Sequence, residues 1–180
     1  MRTLDALADE IMATGFRCTG CGACCSEVSP GSNLVMVTPA EARAVADAAG
    51  RTFDGVAEPY PDFIEGEDGA RYTFDWSLRR EGGRCLFLRE GRCTVYGARP
   101  WICRTYPFML DGDRLAVFEC PGLGGEMSRE EARLLAALLI GRQEAEEAEE
   151  EGIRKVLAST AVPAGICAVV DSEGVWPVHG

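Results

Sequence analysis

Residues 16–26, F-R-C-T-G-C-G-A-C-C-S, place four cysteines, Cys18, Cys21, Cys24 and Cys25, within eight positions. The spacing C-x-x-C-x-x-C-C gathers several thiolates from one short loop. Thiolates select soft or borderline metals, chiefly zinc, copper(I) and iron–sulfur clusters. Gly20 and Gly22 lie between the sulfurs, where a backbone without Cβ can approach closely and turn its N–H groups toward sulfur or metal. Four more cysteines follow, Cys85, Cys93, Cys103 and Cys120, making a set of eight. A closed zinc site and a cubane cluster each take four protein ligands, so eight suggests two centres. Neighbouring side chains are expected to diverge, which assigns Cys24 and Cys25 to different centres. One workable grouping gives Cys18, Cys21, Cys24 and Cys120 to the first and Cys25, Cys85, Cys93 and Cys103 to the second.

Iron, as a 4Fe-4S cluster, is the favoured metal, with zinc the alternative. Cys18, Cys21 and Cys24 have cubane spacing. Zinc ribbons usually present two separated C-x-x-C knuckles, whereas Cys85 and Cys93 are eight apart. Phe87, Tyr96, Trp101, Tyr106 and Phe108 crowd the later cysteines, and an apolar shell controls solvent access to a cluster. Arg99 and Arg104 read as neutralising support around the thiolates rather than as groups that hold a substrate. Cys167, within the apolar run I-C-A-V-V, reads as a buried core thiol outside the ligand set. His179, the only histidine, reads as a solvated terminal residue. No Ser/His/Asp or Cys/His set can be assembled, and no phosphate-binding glycine loop is present.

The elements that must position these residues belong to a chain of 180 residues with 47% apolar and 26% charged side chains. Its formal net charge of −11 argues against nucleic acid and anionic membranes as partners. No run approaches the ~18 apolar residues of a membrane span. Asp5, Asp9 and Glu10 interrupt the apolar pattern at the start, so no secretory signal is expected and the compartment is expected to be the cytoplasm. In that reducing setting nine cysteines point to metal rather than disulfides.

Leu4, Leu7 and Ile11 mark a helix over residues 3–14, capped by Thr3 and stopped by Gly15. Residues 34–37 read as a short strand. Thr38-Pro39-Ala40-Glu41 is a capping box with proline at the first helical position, opening a helix that Gly50 ends. Residues 71–76 read as a strand. Hairpins are expected over 85–88 and 92–96 and over 106–110 and 114–118. Ser128-Arg129-Glu130-Glu131 opens another capped helix, which runs into a solvated acidic stretch, and residues 164–176 suggest a strand pair. The fold class is therefore α+β: a small cysteine-rich domain of short hairpins and flanking helices over 1–125, with a C-terminal helix and strand tail over 126–180.

F-R-C-T-G-C-G-A-C-C at 16–25, C-L-F-L-R-E-G-R-C-T-V-Y-G-A-R-P-W-I-C-R-T-Y-P-F at 85–108 and C-P-G at 120–122 resemble the CxxCxxCC, or YkgJ-type, zinc- or iron-chelating family. The first run with Cys120-Pro121 is also similar to bacterial ferredoxins, whose last cysteine precedes proline. The family resemblance implies that all eight cysteines are metal ligands. It also relates the chain distantly to flagellin lysine N-methylase, an iron–sulfur protein that uses S-adenosylmethionine. Two functions follow as expectations: a metal-binding protein with a structural, electron-transfer or partner-directed role, and alternatively an S-adenosylmethionine-dependent protein lysine methyltransferase. A protein partner would be of unknown identity.

Overall fold

A computed structural model describes residues 3–66 and 68–178. His179 lies outside them. Helix α1 (Leu4–Thr14) starts where the Thr3 side chain accepts from Ala6 N–H and stops at Gly15. Strand β1 (Met36–Val37) leads into α2 (Pro39–Ala49), whose Thr38/Glu41 capping box is fully formed. Short strands follow: β2 (Ala57–Pro59), β3 (Ile64–Glu65), β4 (Arg71–Thr73), β5 (Trp76–Leu78), β6 (Arg80–Glu81), β7 (Arg84–Cys85), β8 (Leu88–Arg89) and β9 (Arg92–Cys93). Then come α3 (Trp101–Thr105), the hairpin β10 (Phe108–Asp111) with β11 (Arg114–Val117), the long helix α4 (Arg129–Ser159), and the pair β12 (Cys167–Asp171) with β13 (Gly174–Pro177). The α+β class is as expected.

Three details differ from the sequence expectation. The strand expected over 71–76 is two strands, because the chain changes sheets at Phe74-Asp75: β5 lies between β1 and β2, while β4 joins the sheet β13-β12-β4-β3. The hairpin expected over 85–88 and 92–96 is narrower. Leu88 faces Cys93 and Arg89 faces Arg92, while Cys85 belongs to the preceding hairpin, opposite Arg80. The five-residue α3, which carries Cys103, has no apolar periodicity long enough to announce it.

Two cores result. Val35, Val37, Val45, Val56, Leu78, Leu86 and Phe87 form one, with Cys85, Cys93 and Cys103 packed against it. Leu7, Ile11, Phe108, Leu135 and Leu139 form the other, where α4 lies along α1. Strand β12 pairs in parallel with β4, which joins the C-terminal hairpin to the middle of the chain. Trp76 Nε1 donates to the buried Asp171 carboxylate at 2.9 Å across that junction. Among the described residues no helix is long and apolar enough to cross a membrane.

Candidate metal centre

The cysteine loop is pinned at both ends. At its start, Phe16 bridges to Leu123, and Arg17 N–H donates to Gly122 C=O at 2.9 Å. A Cβ on Gly122 would stand 2.2 Å from the Arg17 carbonyl oxygen, so only glycine lets these backbones meet. That contact brings Cys120 to the cysteine loop. At the loop's far end, Ser26 bridges to Arg84, and Glu27 N–H donates to Gly83 C=O at 2.7 Å. The loop is thereby tied to the hairpin of Cys85. Between these anchors, Ala23–Cys25 form a single 3-10 turn. The Asn33 amide donates to the carbonyls of Ala23 and Ser26 at 3.3 and 2.9 Å and fixes the turn that presents Cys24 and Cys25.

The later cysteines arrive on three supports: Cys85 on β7, Cys93 on β9 and Cys103 on α3. The start of α3 is held by Glu41, whose carboxylate accepts from Trp101 N–H at 2.7 Å while also closing the α2 capping box. One cleft of about 600 Å³ is lined by Cys18, Cys24, Cys25, Cys85, Cys93 and Cys103, with Phe87, Tyr96, Tyr106 and Phe108 on its apolar walls. Cys21 and Cys120 are not on that lining. Near them the Tyr106 hydroxyl donates to Glu119 C=O at 2.6 Å, and burial raises its pKa, with the surrounding cysteines adding to the shift. Cys167 opens β12, outside the cleft, and is half-buried rather than the fully buried core thiol expected.

Cys24 and Cys25 do not diverge. Their sulfurs stand 3.9 Å apart, because the 3-10 turn folds both side chains toward the cleft. Two thiols this close at the head of the cleft put the ligands of neighbouring centres side by side. The bond from Cys25 lowers Cys24 to about 6, while the same bond and burial raise Cys25. Burial pushes Cys103 up to about 12, aided by the charges of Cys85, Cys24 and Cys93. Burial likewise raises Cys85. Crowded thiols in an apolar cleft resist carrying charge unless a cation is shared among them. Among the described residues, no group of three or more His, Cys, Asp or Glu side chains is arranged to hold a metal ion in the geometry shown.

The family model of CxxCxxCC, described as "Putative zinc- or iron-chelating domain", matches residues 17–134, about two-thirds of the chain. The chain belongs to this family. It is also similar to the uncharacterized protein MJ0661 of Methanocaldococcus jannaschii, 30% identical over 97 residues. That match covers 53% of this chain and 46% of the relative, so the chain spans about half the length of the curated protein it matches. No solved structure matches the chain.

The donor set of this CxxCxxCC domain fits the metals its family description gives, since thiolates suit both zinc and iron–sulfur groups. The surroundings fit as well. Gly122 N–H lies 3.5 Å from Cys120 Sγ, a backbone donor aimed at sulfur. Arg80 sits directly across β6–β7 from Cys85, and its Nη2 is buried without a hydrogen-bond partner. An unpaired buried guanidinium N–H is costly unless an anion comes to it, and a ligated Cys85 thiolate would supply one. Arg99 stacks on Tyr96, its guanidinium carbon 3.6 Å from the ring centre, and donates to the carbonyls of Tyr96 and Cys103 at 3.1 and 3.4 Å. Its charge favours the thiolates of Cys24 and Cys103. Arg104 stands one step back, stacked on Trp101 and donating to Arg99 C=O at 2.7 Å. Sequence reasoning missed Arg80, Asn33 and Glu41. The E-G-G at 81–83 marks a turn, but the two-residue strands beside it gave no register that would set Arg80 opposite Cys85.

Proposed function

We propose that the protein holds iron, as iron–sulfur clusters of the four-iron type, through all eight cysteines and serves in electron transfer or delivery to a protein partner. The observation that carries this reading is the convergence of six cysteines, from the cysteine loop, β7, β9 and α3, on one apolar-walled cleft. The first centre would take Cys18, Cys21 and Cys24 from the loop with Cys120, whose neighbour Gly122 meets the loop at Arg17. The second would take Cys25 with Cys85, Cys93 and Cys103, which line the cleft together. Cys24 and Cys25 then stand where the two centres adjoin.

Space favours a cluster over a bare ion. At ~30 Å³ per water, the cleft would hold on the order of twenty waters, far more than one ion displaces. In a cubane each iron takes its own cysteine, which suits sulfurs spread around a cleft. The backbone N–H at Cys120 and the aromatic walls are the groups that set a cluster's potential and its exposure to water. Four thiolates around a divalent ion, or around a cluster, leave a charge of about −2, which Arg80 and Arg99 are placed to balance.

The test is anaerobic purification from cells given ample iron, with absorbance near ~400 nm and assays of iron, sulfide and zinc. Brown protein with iron and sulfide in equal amounts supports the reading. Colourless protein with stoichiometric zinc would overturn the choice of metal and leave the eight ligands standing.

A further inference from the structure

The charge of this chain is divided very unevenly. Residues 79–104, which carry Cys85, Cys93 and Cys103, hold seven arginines and two glutamates, a net of +5. The rest of the chain carries −16, giving the overall −11. A protein with 29 acidic residues thus leaves its cysteine-bearing segment basic.

Three of these arginines, Arg84, Arg89 and Arg92, are placed as a strip. Arg84 faces Glu81 across β6–β7, Glu81 reaches Arg89 at 3.8 Å, and Arg89 faces Arg92 across β8–β9. All four side chains are exposed. Glu81 and Glu90 are the acids among these three arginines, and Arg84 and Arg92 have no ion-pair partner among the described residues. Like charges directly opposite each other on a hairpin are destabilising, so the Arg89–Arg92 pair costs stability until an anion lies across it. Arg92 also lines the mouth of the cysteine cleft, together with Tyr96 and Phe118, which remain 61% and 45% exposed. Exposed aromatics rimmed by arginines are the composition of a protein-binding surface.

We propose that Arg84, Arg89 and Arg92, with Tyr96 and Phe118, form the docking surface for a partner protein that presents an acidic segment at the mouth of the cysteine cleft. A long polyanion such as nucleic acid fits less well. The strip is only three arginines wide, and the −16 carried elsewhere repels any chain that runs past it. A short acidic segment can meet the strip while the rest of its protein stays clear. The strip would steer encounter and set the orientation, and the two aromatics would supply buried area. The inference rests on the reading that the cleft is the working part of the molecule, and it is independent of which metal is held.

The test uses the full-length protein as purified with its metal, and a fluorescein-labelled peptide of alternating glutamate and leucine as the acidic probe. Anisotropy titrations would be run at low and at physiological salt. Saturable binding that weakens with salt is expected for the native protein, with affinity reduced about tenfold or more in the triple variant R84E/R89E/R92E. Metal content of the variant should be unchanged, which separates loss of docking from loss of the metal centre. Replacing Tyr96 with alanine should weaken binding at both salt concentrations. Absence of binding at low salt, binding unaffected by the charge reversals, or loss of metal in the triple variant would each overturn the proposal. So would tighter binding of a single-stranded oligonucleotide of matched charge. Salt-sensitive self-association in sedimentation, through the acidic stretch of α4, would assign the strip to a second copy of this chain and equally overturn it.

Discussion

Glu41 does two jobs with one carboxylate, and separating them tests how Cys103 is positioned. Its Oε2 accepts from Thr38 N–H and Thr38 Oγ1 at 2.9 and 3.0 Å, and its backbone N–H donates to Thr38 Oγ1 at 3.3 Å. Its Oε1 accepts from Trp101 N–H at 2.7 Å, the first residue of the helix that carries Cys103. Thr38→Ala removes the cap alone, a loss of about 1 kcal/mol. Glu41→Ala also removes a charge-assisted acceptor from a half-buried N–H, a further loss of about 1.5–3 kcal/mol. For a chain of this length about 2–4 °C of melting temperature goes with each kcal/mol, so the expected drops are about 2–4 °C for Thr38→Ala and about 5–16 °C for Glu41→Ala. The assay is thermal denaturation by circular dichroism, paired with the rate at which a chelator strips metal. Glu41→Ala should release metal faster than Thr38→Ala, because α3 no longer holds Cys103 in place. Equal melting temperatures and equal release rates in the two variants would refute the tether.

Gly122→Ala should destabilise the fold and impair metal loading through Cys120, since its Cβ would collide with the Arg17 carbonyl; melting and metal analysis that match the native protein would refute the close approach. Asp75→Asn tests a half-buried carboxyl. Burial raises Asp75 above its ordinary 3.8, with Glu149 and Glu146 adding to the shift. Its contribution is therefore present below pH 3.8 and lost as pH rises through the raised folded value. The variant should melt higher than the native protein at pH 7 and equally at pH 3.5, and a constant difference across that range would refute the assignment. Cys167→Ala should leave metal content unchanged, because Cys167 stands outside the cleft; loss of metal would extend the ligand set to nine.

The candidate ligands could be named from the sequence because their chemistry is local in type: cysteine spacing points to metal whatever the fold around it. The capped helices α1, α2 and α4 were legible for a similar reason, since Thr3, Thr38/Glu41 and Ser128/Glu131 complete hydrogen bonds within one turn. What could not be read were the relations between distant residues. Nothing in R-C at 84–85 says that Cys85 will face Arg80 rather than pair with residues 92–96, because two-residue strands carry no period to count. The side-chain path of Cys24 and Cys25 depends on a turn held by Asn33, eight positions beyond Cys25. The capping box at Thr38 was plain, but not the second bond its glutamate makes to α3, which needs the tertiary fold.

These relations bear on how folding and metal depend on each other. The cysteine loop is joined to the rest by single bridges at Leu123 and Arg84 and by few backbone bonds. Cys18, Cys21 and Cys24 are exposed, so the loop buries little apolar surface of its own. Cys85, Cys93 and Cys103, by contrast, pack against a hydrophobic core. The two halves of the ligand set therefore differ in what holds them without metal: the second is positioned by packing, the first chiefly by its pins at Gly122, Gly83 and Asn33. Metal removal should accordingly loosen residues 16–33 first and leave α1, α4 and the C-terminal hairpin folded, which hydrogen exchange before and after chelation would resolve. Cooperative loss of protection across the whole chain would instead mean that the thiolate centres hold both cores together.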